Sequence, residues 1–403
     1  MPEACPYRST IAFSDIDIND TMLRKNNFLV YIIVVITSLP FLQGCGEGNA
    51  SSAGKLTELP VTHARLLSLS EGDGYTLAEV RNPWDTARTL HRYVLVERGA
   101  EVPELPFQAT VVRVPLSRVV VSSVIHSSLI GDFGAADSIA GVCDAEWFNK
   151  PPMNRRIAGG EVADCGNSMA PDVERMLRLR AGAIFVAPFQ NNGGYGKIDQ
   201  AGIPVIECAD YMETSPLGRA EWMRFYGRLF GQGAMADSLF DATVSQYGQL
   251  AAVGRKASTK PSVLVDRIYG QSWNVPGGES TLGRLIEDAG GRNIFDRYRR
   301  SGSVALAPEK VLYEGAGADV WLIRYNDERG PLTLRELGGE SPLYPRVAAF
   351  GRGDVYGVNT SVSSYYSDMP FHPQWVLADV IGVLHPEAGV SPSRRYFLRL
   401  SPR

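Results

Sequence analysis

The longest amphipathic pattern in the chain covers residues 235–255. Its apolar side chains recur every three or four positions, a spacing that places them on one face of an α-helix: Leu239, Phe240, Val244, Tyr247, Leu250 and Ala251. About twenty residues at a rise of ~1.5 Å each give a rod close to the width of a small domain. Strand and helix patterns alternate on both sides, so we predict a spine helix that joins two α/β lobes. A packing helix inside a single large domain is the alternative.

Before the spine helix, short apolar runs alternate with helical patterns. Residues 118–123, RVVVSS, form a continuous β-branched run of the kind found in parallel strands buried on both faces. Further strands are predicted at 139–142, 183–188 and 203–207, and helices near 127–133, 172–178 and 217–230. Repeated strand–helix–strand units predict a mainly parallel sheet with helices on both faces.

The same alternation restarts after the spine helix. Strands are predicted at 262–266, 320–324 and 354–358, and helices at 281–289 and 374–384. Residues 64–97, near the other end of the chain, instead alternate apolar and polar positions between Gly-Asp-Gly and Asn-Pro-Trp-Asp turns. That pattern predicts antiparallel strands, and therefore an N-terminal β addition to the first lobe.

The first 45 residues have the pattern of a targeting segment. Arg24 and Lys25 precede the apolar run 28–39, which is short for a membrane span, and Gly44 and Cys45 follow. This order is typical of a signal peptide and resembles the lipobox of bacterial lipoproteins, which implies acylation of Cys45 and anchoring to a membrane. Met22, two residues before Arg24, is an alternative start. A single spanning anchor is the other interpretation of the run.

Composition and charge narrow the function class. The chain of 403 residues is 44% apolar and 21% charged, with a formal charge of −4, as in an ordinary globular protein. Because no basic stripe is present, nucleic acid is excluded as a partner. The five histidines are scattered and no pair has metal-ligand spacing, so we expect neither a bound metal nor a cofactor.

Three cysteines follow Cys45, namely Cys143, Cys165 and Cys208. Their spacing matches no zinc or redox motif. In an oxidising compartment one pair is expected to be bridged, with Cys143 and Cys165 favoured because a Pro-rich loop lies between them, and the third is expected to be a buried thiol.

Several segments resemble, in order, the substrate-binding proteins of ABC importers for iron-siderophores, haem and cobalamin. The segment 118–144, RVVVSSVIHSSLIGDFGAADSIAGVCD, resembles their opening strand, helix and strand. The later segments that match are PDVERMLRLRAGAIFV, AGIPVI, DAGGRNIF, GRGDVYGV and His385-Pro-Glu. The resemblance covers roughly residues 60–390, and its strength lies in the ordered set.

This resemblance implies two Rossmann-like lobes, each with a mainly parallel sheet, joined by one long rigid α-helix, with the ligand in the cleft between them. The division is a signal peptide at 1–45, a flexible tether at 46–60, an N-terminal α/β lobe at 61–215, a helix and the spine helix at 216–258, and a C-terminal α/β lobe at 259–403. It also implies a lipid-anchored protein on the periplasmic face of the envelope. The partners are a metal-chelate nutrient and an ABC permease with its ATPase subunits.

Loops at the carboxyl ends of parallel strands line the cleft in such folds. Applied to this chain, the rule selects one histidine and seven aromatic residues as ligand contacts: His126, Trp147, Phe189, Tyr195, Tyr269, Trp273, Tyr365 and Tyr366. Aromatic planes can stack on a macrocycle or catecholate. The alternatives are that the aromatic residues cover the core or the surface, and that His126 is a satisfied polar group at a helix start.

In the resembled family one glutamate on each lobe meets arginines of the permease. Glu174 matches the first position, and Glu287 and Glu279 both lie near the second. Plain solvated carboxylates are the alternative for all three.

Two other function classes compete with transport. A hydrolase of the envelope needs a nucleophile and a base, yet the sequence has no Gly-x-Ser-x-Gly or His-Glu-x-x-His motif, so we predict no catalytic residues and no enzyme activity. An adhesive or structural surface lipoprotein is the third class. Among cargoes, iron-siderophore and cobalamin precede haem, because no Tyr/His pair suits axial ligation.

Overall fold

The computed structural model of the chain describes residues 56–191 and 193–403. The signal peptide, Met22, Cys45 and most of the tether therefore lie outside the described residues. In the described part no helix combines the length and the apolar character that crossing a bilayer requires.

The N-terminal addition is a five-stranded sheet in the order β1-β2-β3-β4-β5. Neighbouring strands are antiparallel except for β4 and β5, which run parallel. Its strands are β1 (Thr57–Glu58), β2 (Leu67–Gly72), β3 (Tyr75–Arg81), β4 (Thr89–Glu97) and β5 (Thr110–Val114). One face packs Leu67, Leu69 and Val80 into the core of the first lobe. The predicted β addition is confirmed.

Two buried carboxylates attach this sheet to the lobe. Glu221 accepts the backbone N–H groups of residues 62, 63 and 64 at 2.9, 2.6 and 2.7 Å. Glu213 accepts those of residues 65 and 66 at 3.0 and 2.9 Å, and also the indole N–H of Trp222 at 3.0 Å. Five consecutive backbone amides are thereby satisfied by charged acceptors, which are about twice as strong as neutral ones. We call these two glutamates the carboxylate clamp.

The first lobe has a parallel sheet in the order β12-β11-β6-β7-β8 and a small antiparallel pair, β9 and β10. All three side chains of β6 are buried, as the β-branched run predicted. The elements are β6 (Val119–Val121), α1 (Val124–Asp132), β7 (Ile139–Val142), α2 (Met153–Ala158), β8 (Ala163–Asp164), β9 (Gly166–Asn167), β10 (Ala170–Pro171), α3 (Val173–Arg178), β11 (Ala183–Val186), α4 (Lys197–Gln200) and β12 (Val205–Glu207).

Three helices lead from the first lobe to the second: α5 (Pro216–Glu221), α6 (Met223–Leu229) and α7 (Gly233–Lys256). The spine helix is α7, 24 residues long, and it confirms the prediction within two residues at each end. Phe240 on its first half packs in the core of the first lobe, while Tyr247 and Ala251 on its second half pack in the core of the second. The spine helix therefore belongs to both cores.

The second lobe has a sheet in the order β16-β13-β18-β19-β20, parallel except for β20. An antiparallel sheet of β14, β15 and β17, which the sequence patterns did not indicate, lies beside it. The strands are β13 (Ser262–Val265), β14 (Ile268–Tyr269), β15 (Ser272–Pro276), β16 (Arg292–Asn293), β17 (Ser303–Leu306), β18 (Val320–Tyr325), β19 (Val355–Asn359) and β20 (Leu398–Arg399). The helices are α8 (Thr281–Asp288), α9 (Pro308–Gly315), α10 (Leu334–Glu340), α11 (Ala348–Arg352), α12 (Tyr365–Asp368) and α13 (Pro373–Leu384).

The expected bridge between Cys143 and Cys165 is not formed, and both residues are free, buried thiols, as is Cys208. Cys143 and Cys165 follow neighbouring strands and pack in one hydrophobic cluster with Val120 and Ile184. Burial raises the pKa of Cys143 to about 12 and that of Cys165 to about 11. The prediction was wrong because these side chains serve as small apolar core residues.

Candidate functional site

In the main sheet of each lobe, successive strands are added first on one side of a central strand and then on its other side. In the first sheet β7 lies on one side of β6 and β11 on the other; in the second sheet β16 and β18 flank β13 in the same way. Loops diverge at such a switch point and leave a crevice outside the carboxyl ends of the strands, where ligands bind in open α/β sheets.

At the carboxyl edge of the second sheet this crevice is a cavity of about 400 Å³, which we call the β13–β18 cavity. It is lined by the last two residues of β18, by residues that follow β13, β18 and β19, and by Asn274 and Glu340. These lining residues are Asp266, Arg267, Ile268, Tyr269, Arg324, Tyr325, Asn326, Thr360 and Tyr366. A second cavity of about 490 Å³ shares four of these residues and extends toward α10. Tyr269, 64% exposed, and Tyr366, also exposed, are the predicted ligand residues found here.

The arginines of the β13–β18 cavity are paired within the protein. Asp266 adopts a left-handed backbone conformation (φ 59°) directly after β13, which turns its carboxylate toward Arg324 near the end of β18. The guanidinium Nε lies 2.9 Å from Asp266 Oδ1, and Nη2 bonds the other oxygen. Burial alone lowers the pKa of Arg324, but Asp266 outweighs it and holds that pKa well above its ordinary value.

The neighbouring guanidinium groups are also neutralised. Arg267 is ion-paired with Glu340, and Arg329 in the second cavity is paired with Asp327 at 2.6 Å. Each arginine among the described lining residues therefore has its own carboxylate partner. An opening of this kind has little net positive charge to offer a polyanionic ligand.

Two predicted ligand residues are in the core instead. Trp273 is fully buried, and its ring centroid lies 5.5 Å from that of Trp321. Its indole N–H donates to the Val265 carbonyl at 3.0 Å. Tyr365 is fully buried and packs edge-on against Tyr396 and Phe397. Both side chains are on the inner face of their strand or helix, because side chains alternate along a strand and repeat every 3.6 residues along a helix, and neither residue lines the β13–β18 cavity.

His126 is also buried, within α1, and belongs to a closed polar network. Its Nε2 lies 3.0 Å from Asp210 Oδ1, and Asp210 also accepts bonds from Arg219 Nε at 3.0 Å and the Tyr226 hydroxyl at 2.9 Å. Cys208 lies close enough to complete a His/Cys/Asp set. Both Asp210 oxygens already have hydrogen-bond partners. The alternative interpretation of His126, a satisfied polar group, therefore fits, and the buried His/Cys/Asp set is not accessible to a ligand.

Burial alone lowers the pKa of His126, but Cys208 and Asp210 together outweigh it and raise the pKa to about 10. The hydrogen bond and charge of His126, with Arg219, overcome the burial of Asp210 and lower the pKa of that carboxyl. The pair is therefore imidazolium and carboxylate at neutral pH.

The other three predicted residues of the first lobe follow its strands as expected. Trp147 ends a 3₁₀ turn after β7 and Phe189 lies in the loop after β11, and both are exposed. Tyr195 lies farther along the same loop, and its hydroxyl donates to buried Glu207 at 2.8 Å. Trp147 and Phe189 thus present aromatic surface at the carboxyl edge, whereas the Tyr195 ring is held against the protein.

Contacts between the lobes identify a residue that the sequence patterns missed. Lys150, shortly after Trp147, donates to the backbone carbonyls of Thr360, at 3.1 Å, and Ser363. Thr360 lines the β13–β18 cavity, so the first lobe reaches the rim of that cavity. A second contact joins Asp132 of α1 to His372 at 2.8 Å. A lone lysine in a loop carries no sequence signal of such a role.

The three glutamates predicted to dock a permease differ in access. The Glu174 side chain on α3 is 89% exposed and lies 3.9 Å from Arg178. Glu287 on α8 is partly exposed and lies 3.5 Å from Arg284, and Glu279 is half-buried in the turn before α8. Glu174 is the freest of the three.

Sequence comparison matches this chain to one protein-family model and to curated relatives. A model of the periplasmic binding protein family matches residues 119–359. An uncharacterized lipoprotein of Methanocaldococcus jannaschii is 26% identical over 300 residues, which are 72% of this chain and 70% of the relative. Another from the same organism is 24% identical over 323 residues, 77% of this chain and 80% of the relative.

Solved structures of similar fold include ABC-type binding proteins. A periplasmic haem-binding protein of Roseiflexus sp. RS-1 has 19% identity and a TM-score of 0.52, covering 68% of this chain and 99% of that one. The molybdate-binding protein of Haemophilus influenzae has 16% identity and a TM-score of 0.54, covering 68% and 87%. The complex of a Vibrio cholerae siderophore-binding protein with ferric desferal has 16% identity and a TM-score of 0.50, covering 66% and 99%. At these identities the likeness shows a common fold.

Proposed function

The chain belongs to the periplasmic binding protein family, and on this premise we propose that it is the substrate-binding component of an ABC import system. It captures a metal-chelate nutrient in the cleft between its lobes and delivers it to a permease with ATPase subunits. The observation that carries this proposal is the β13–β18 cavity, which lies at the switch point of the second sheet and whose rim is contacted by Lys150 of the first lobe. Its volume of about 400 Å³ lies in the range of small-molecule sites.

The chemistry of the lining supports a bulky chelate of low net charge. Exposed Tyr269 and Tyr366 offer aromatic faces and hydroxyl groups, while Arg267 and Arg324 are already neutralised by carboxylates. Cobalamin and ferric siderophores of low charge suit this lining better than a tris-catecholate. Haem stays third, because the described residues around the cavity include no histidine that faces Tyr269 or Tyr366 as a second axial ligand.

The remaining parts of the proposal concern anchoring and docking. Cys45 carries the lipid that holds the protein at the periplasmic face of the envelope, supported by the lipobox-like sequence and by relatives named lipoproteins. The lobes divide at 61–215 and 259–403 around the spine helix. Glu174 meets the permease on the first lobe, and Glu287 or Glu279 on the second. Charge-assisted contacts of this kind suit docking that must later be released.

The test is a titration of the lipid-free protein, followed by tryptophan fluorescence, against cyanocobalamin, ferric desferal and haem. We expect one of these to bind with a Kd below roughly 1 μM, about −8 kcal/mol. Tyr269→Ala and Tyr366→Ala are expected to weaken that binding about tenfold or more, since each removes an aromatic face. Tyr313→Ala is the matched control, because Tyr313 is 92% exposed on α9 and does not line the cavity. Absence of binding by every probe rejects the chelate-transport proposal.

A further inference from the structure

The N-terminal addition lies outside the segment matched by the family model, yet a chain of polar side chains connects it to the first lobe. Its members, which we call the β-addition relay, are Thr110, His91, Glu207 and Tyr195. Thr110 Oγ1 lies 2.7 Å from His91 Nε2, His91 Nδ1 lies 3.1 Å from Glu207 Oε2, and the Tyr195 hydroxyl donates to Glu207 Oε1 at 2.8 Å. The relay runs from β5 through β4 to the end of β12 and into the loop after β11.

The hydrogen-bond directions of the relay are mutually consistent. An ionised Glu207 only accepts, so the His91 proton lies on Nδ1 and the Tyr195 hydroxyl proton points to Oε1. A neutral His91 ring then accepts at Nε2 from the Thr110 hydroxyl. Glu207 is buried, and each of its carboxylate oxygens has one of these two donors. Removing His91 therefore leaves a buried carboxylate oxygen without its hydrogen-bond donor, which lowers the stability of the folded state.

The same region of the added sheet also holds the backbone of β12. The Tyr93 hydroxyl accepts the Glu207 N–H at 2.9 Å and donates to the Val205 carbonyl at 3.0 Å. His91 stacks on Tyr93 with ring centroids 4.4 Å apart. The addition thus fixes both the main chain and the carboxylate at the end of β12.

At the far end of the relay lies the glycine-rich loop after β11, in which the Tyr195 N–H also donates to Asp199 Oδ2 at 2.6 Å. Gly194 and Gly196 flank Tyr195 with φ values of 108° and 56°, where L side chains are strained, and glycine has the largest backbone entropy to lose. Exposed Phe189 belongs to the same loop at the carboxyl edge of the first sheet. The Tyr195 hydroxyl bond to Glu207 is thus a fixed point of this loop.

We propose that His91 is a positioning residue that, through Glu207 and Tyr195, holds the glycine-rich loop of the first lobe in place. On this assignment the added sheet supports a loop of the ligand-binding site. The statement that this loop meets the ligand rests on the proposed function; the statement that the sheet orders the loop does not.

The test measures amide hydrogen exchange by mass spectrometry on the full, ligand-free chain. In His91→Phe, which keeps the ring stacking and removes both hydrogen bonds, peptides covering 187–201 should exchange roughly fivefold to tenfold faster. Tyr195→Phe should have a similar effect, and the double variant should add little, because both cuts fall in one series of bonds. Arg92→Gln is the matched control: Arg92 is the next residue of β4, bonds Glu79 at 2.6 Å and does not contact the relay.

Two results overturn the proposal. One is unchanged exchange of residues 187–201 in His91→Phe; the other is an equal increase in β6 and β11, which indicates general destabilisation of the lobe. If His91→Phe does not fold, Thr110→Val tests the proposal instead. This substitution removes only the outermost bond of the relay, so a smaller increase in the exchange rate of the same peptides is expected. If cyanocobalamin, ferric desferal and haem all fail to bind the wild-type chain, the proposed function is rejected. The role of the relay is still tested by the hydrogen-exchange result.

Discussion

A buried charged pair at the carboxyl edge of the first sheet shows how single residues organise this protein. His126 and Asp210 are both almost fully buried, and each supplies the counter-charge that makes burial of the other tolerable. Arg219 and the Tyr226 hydroxyl complete the hydrogen bonds of Asp210. Polar groups arranged in this way fix the orientation of α1 relative to the turn after β12. The pair therefore has a structural role close to the cleft.

The charge on His126 makes stability depend on pH. Its pKa is raised from an ordinary 6.5 to about 10, so the stabilisation is complete below 6.5 and is lost as pH rises through 10. We expect the free energy of unfolding of the wild type, measured with urea, to fall by a few kcal/mol between about pH 6 and about pH 10. His126→Asn should be less stable at pH 6 and should lack this slope. Parallel pH profiles for the two proteins would contradict the assignment of the proton to His126.

At the scale of elements, long periodic patterns were enough to predict structure. The spine helix and β6 lie where the sequence placed them, because a sustained apolar stripe or an unbroken β-branched run has one compatible structure. The sheet of β14, β15 and β17 was missed. Its strands are short, and the pairing of Trp273 with Leu306 joins residues far apart in the chain, so no local pattern encodes it.

The candidate site was only partly predictable for a related reason. Tyr269 and Trp273 lie in the same hairpin, yet one is exposed at the cavity and the other is buried, because the phase of the alternation is set by what packs beneath the strand. The partner of Arg324 is 58 residues earlier in the chain and is brought close by the parallel pairing of β13 with β18. Sequence position selects the right edge of the sheet, whereas pairing of the side chains depends on the fold.

The carboxylate clamp gives an element-scale prediction. Glu221→Gln replaces one charged acceptor oxygen with an N–H₂ group that faces backbone donors, so at least one of the N–H groups of residues 62–64 loses its partner. Because Glu221 is fully buried, we expect a loss of about 2–4 kcal/mol in the free energy of unfolding by urea. Glu161→Gln is the matched control, since Glu161 is an exposed partner of Arg156 at 3.4 Å and should change stability by less than about 1 kcal/mol. Equal effects of the two substitutions would refute the clamp.

At the scale of the whole molecule, the spine helix limits how the lobes move. It contributes Phe240 to one core and Tyr247 to the other, and a continuous helix cannot absorb the large dihedral changes of a loop hinge. Contacts across the cleft add to the restraint that the spine helix places on the lobes. The most direct of these are Lys150 with the carbonyls of Thr360 and Ser363, and Asp132 with His372. Burial lowers the pKa of Lys150, which is partly offset by the charge of Asp368.

Lys150 should restrain the opening of the cleft. Lys150→Met keeps most of the side-chain volume and removes the donors to the second lobe, so we expect the distribution of interlobe distances to broaden and its mean to increase by roughly 2 Å or more. Double electron–electron resonance between spin labels at Leu177→Cys on α3 and Tyr313→Cys on α9 measures this, in a chain with Cys5 and Cys45 replaced by serine. Both labelled positions are exposed, while Cys143, Cys165 and Cys208 are buried. Lys260→Met, at an exposed lysine two residues before β13, is the control and should leave the distribution unchanged. A Lys150→Met distribution that coincides with that of the wild type would mean that the spine helix alone fixes the distance between the lobes.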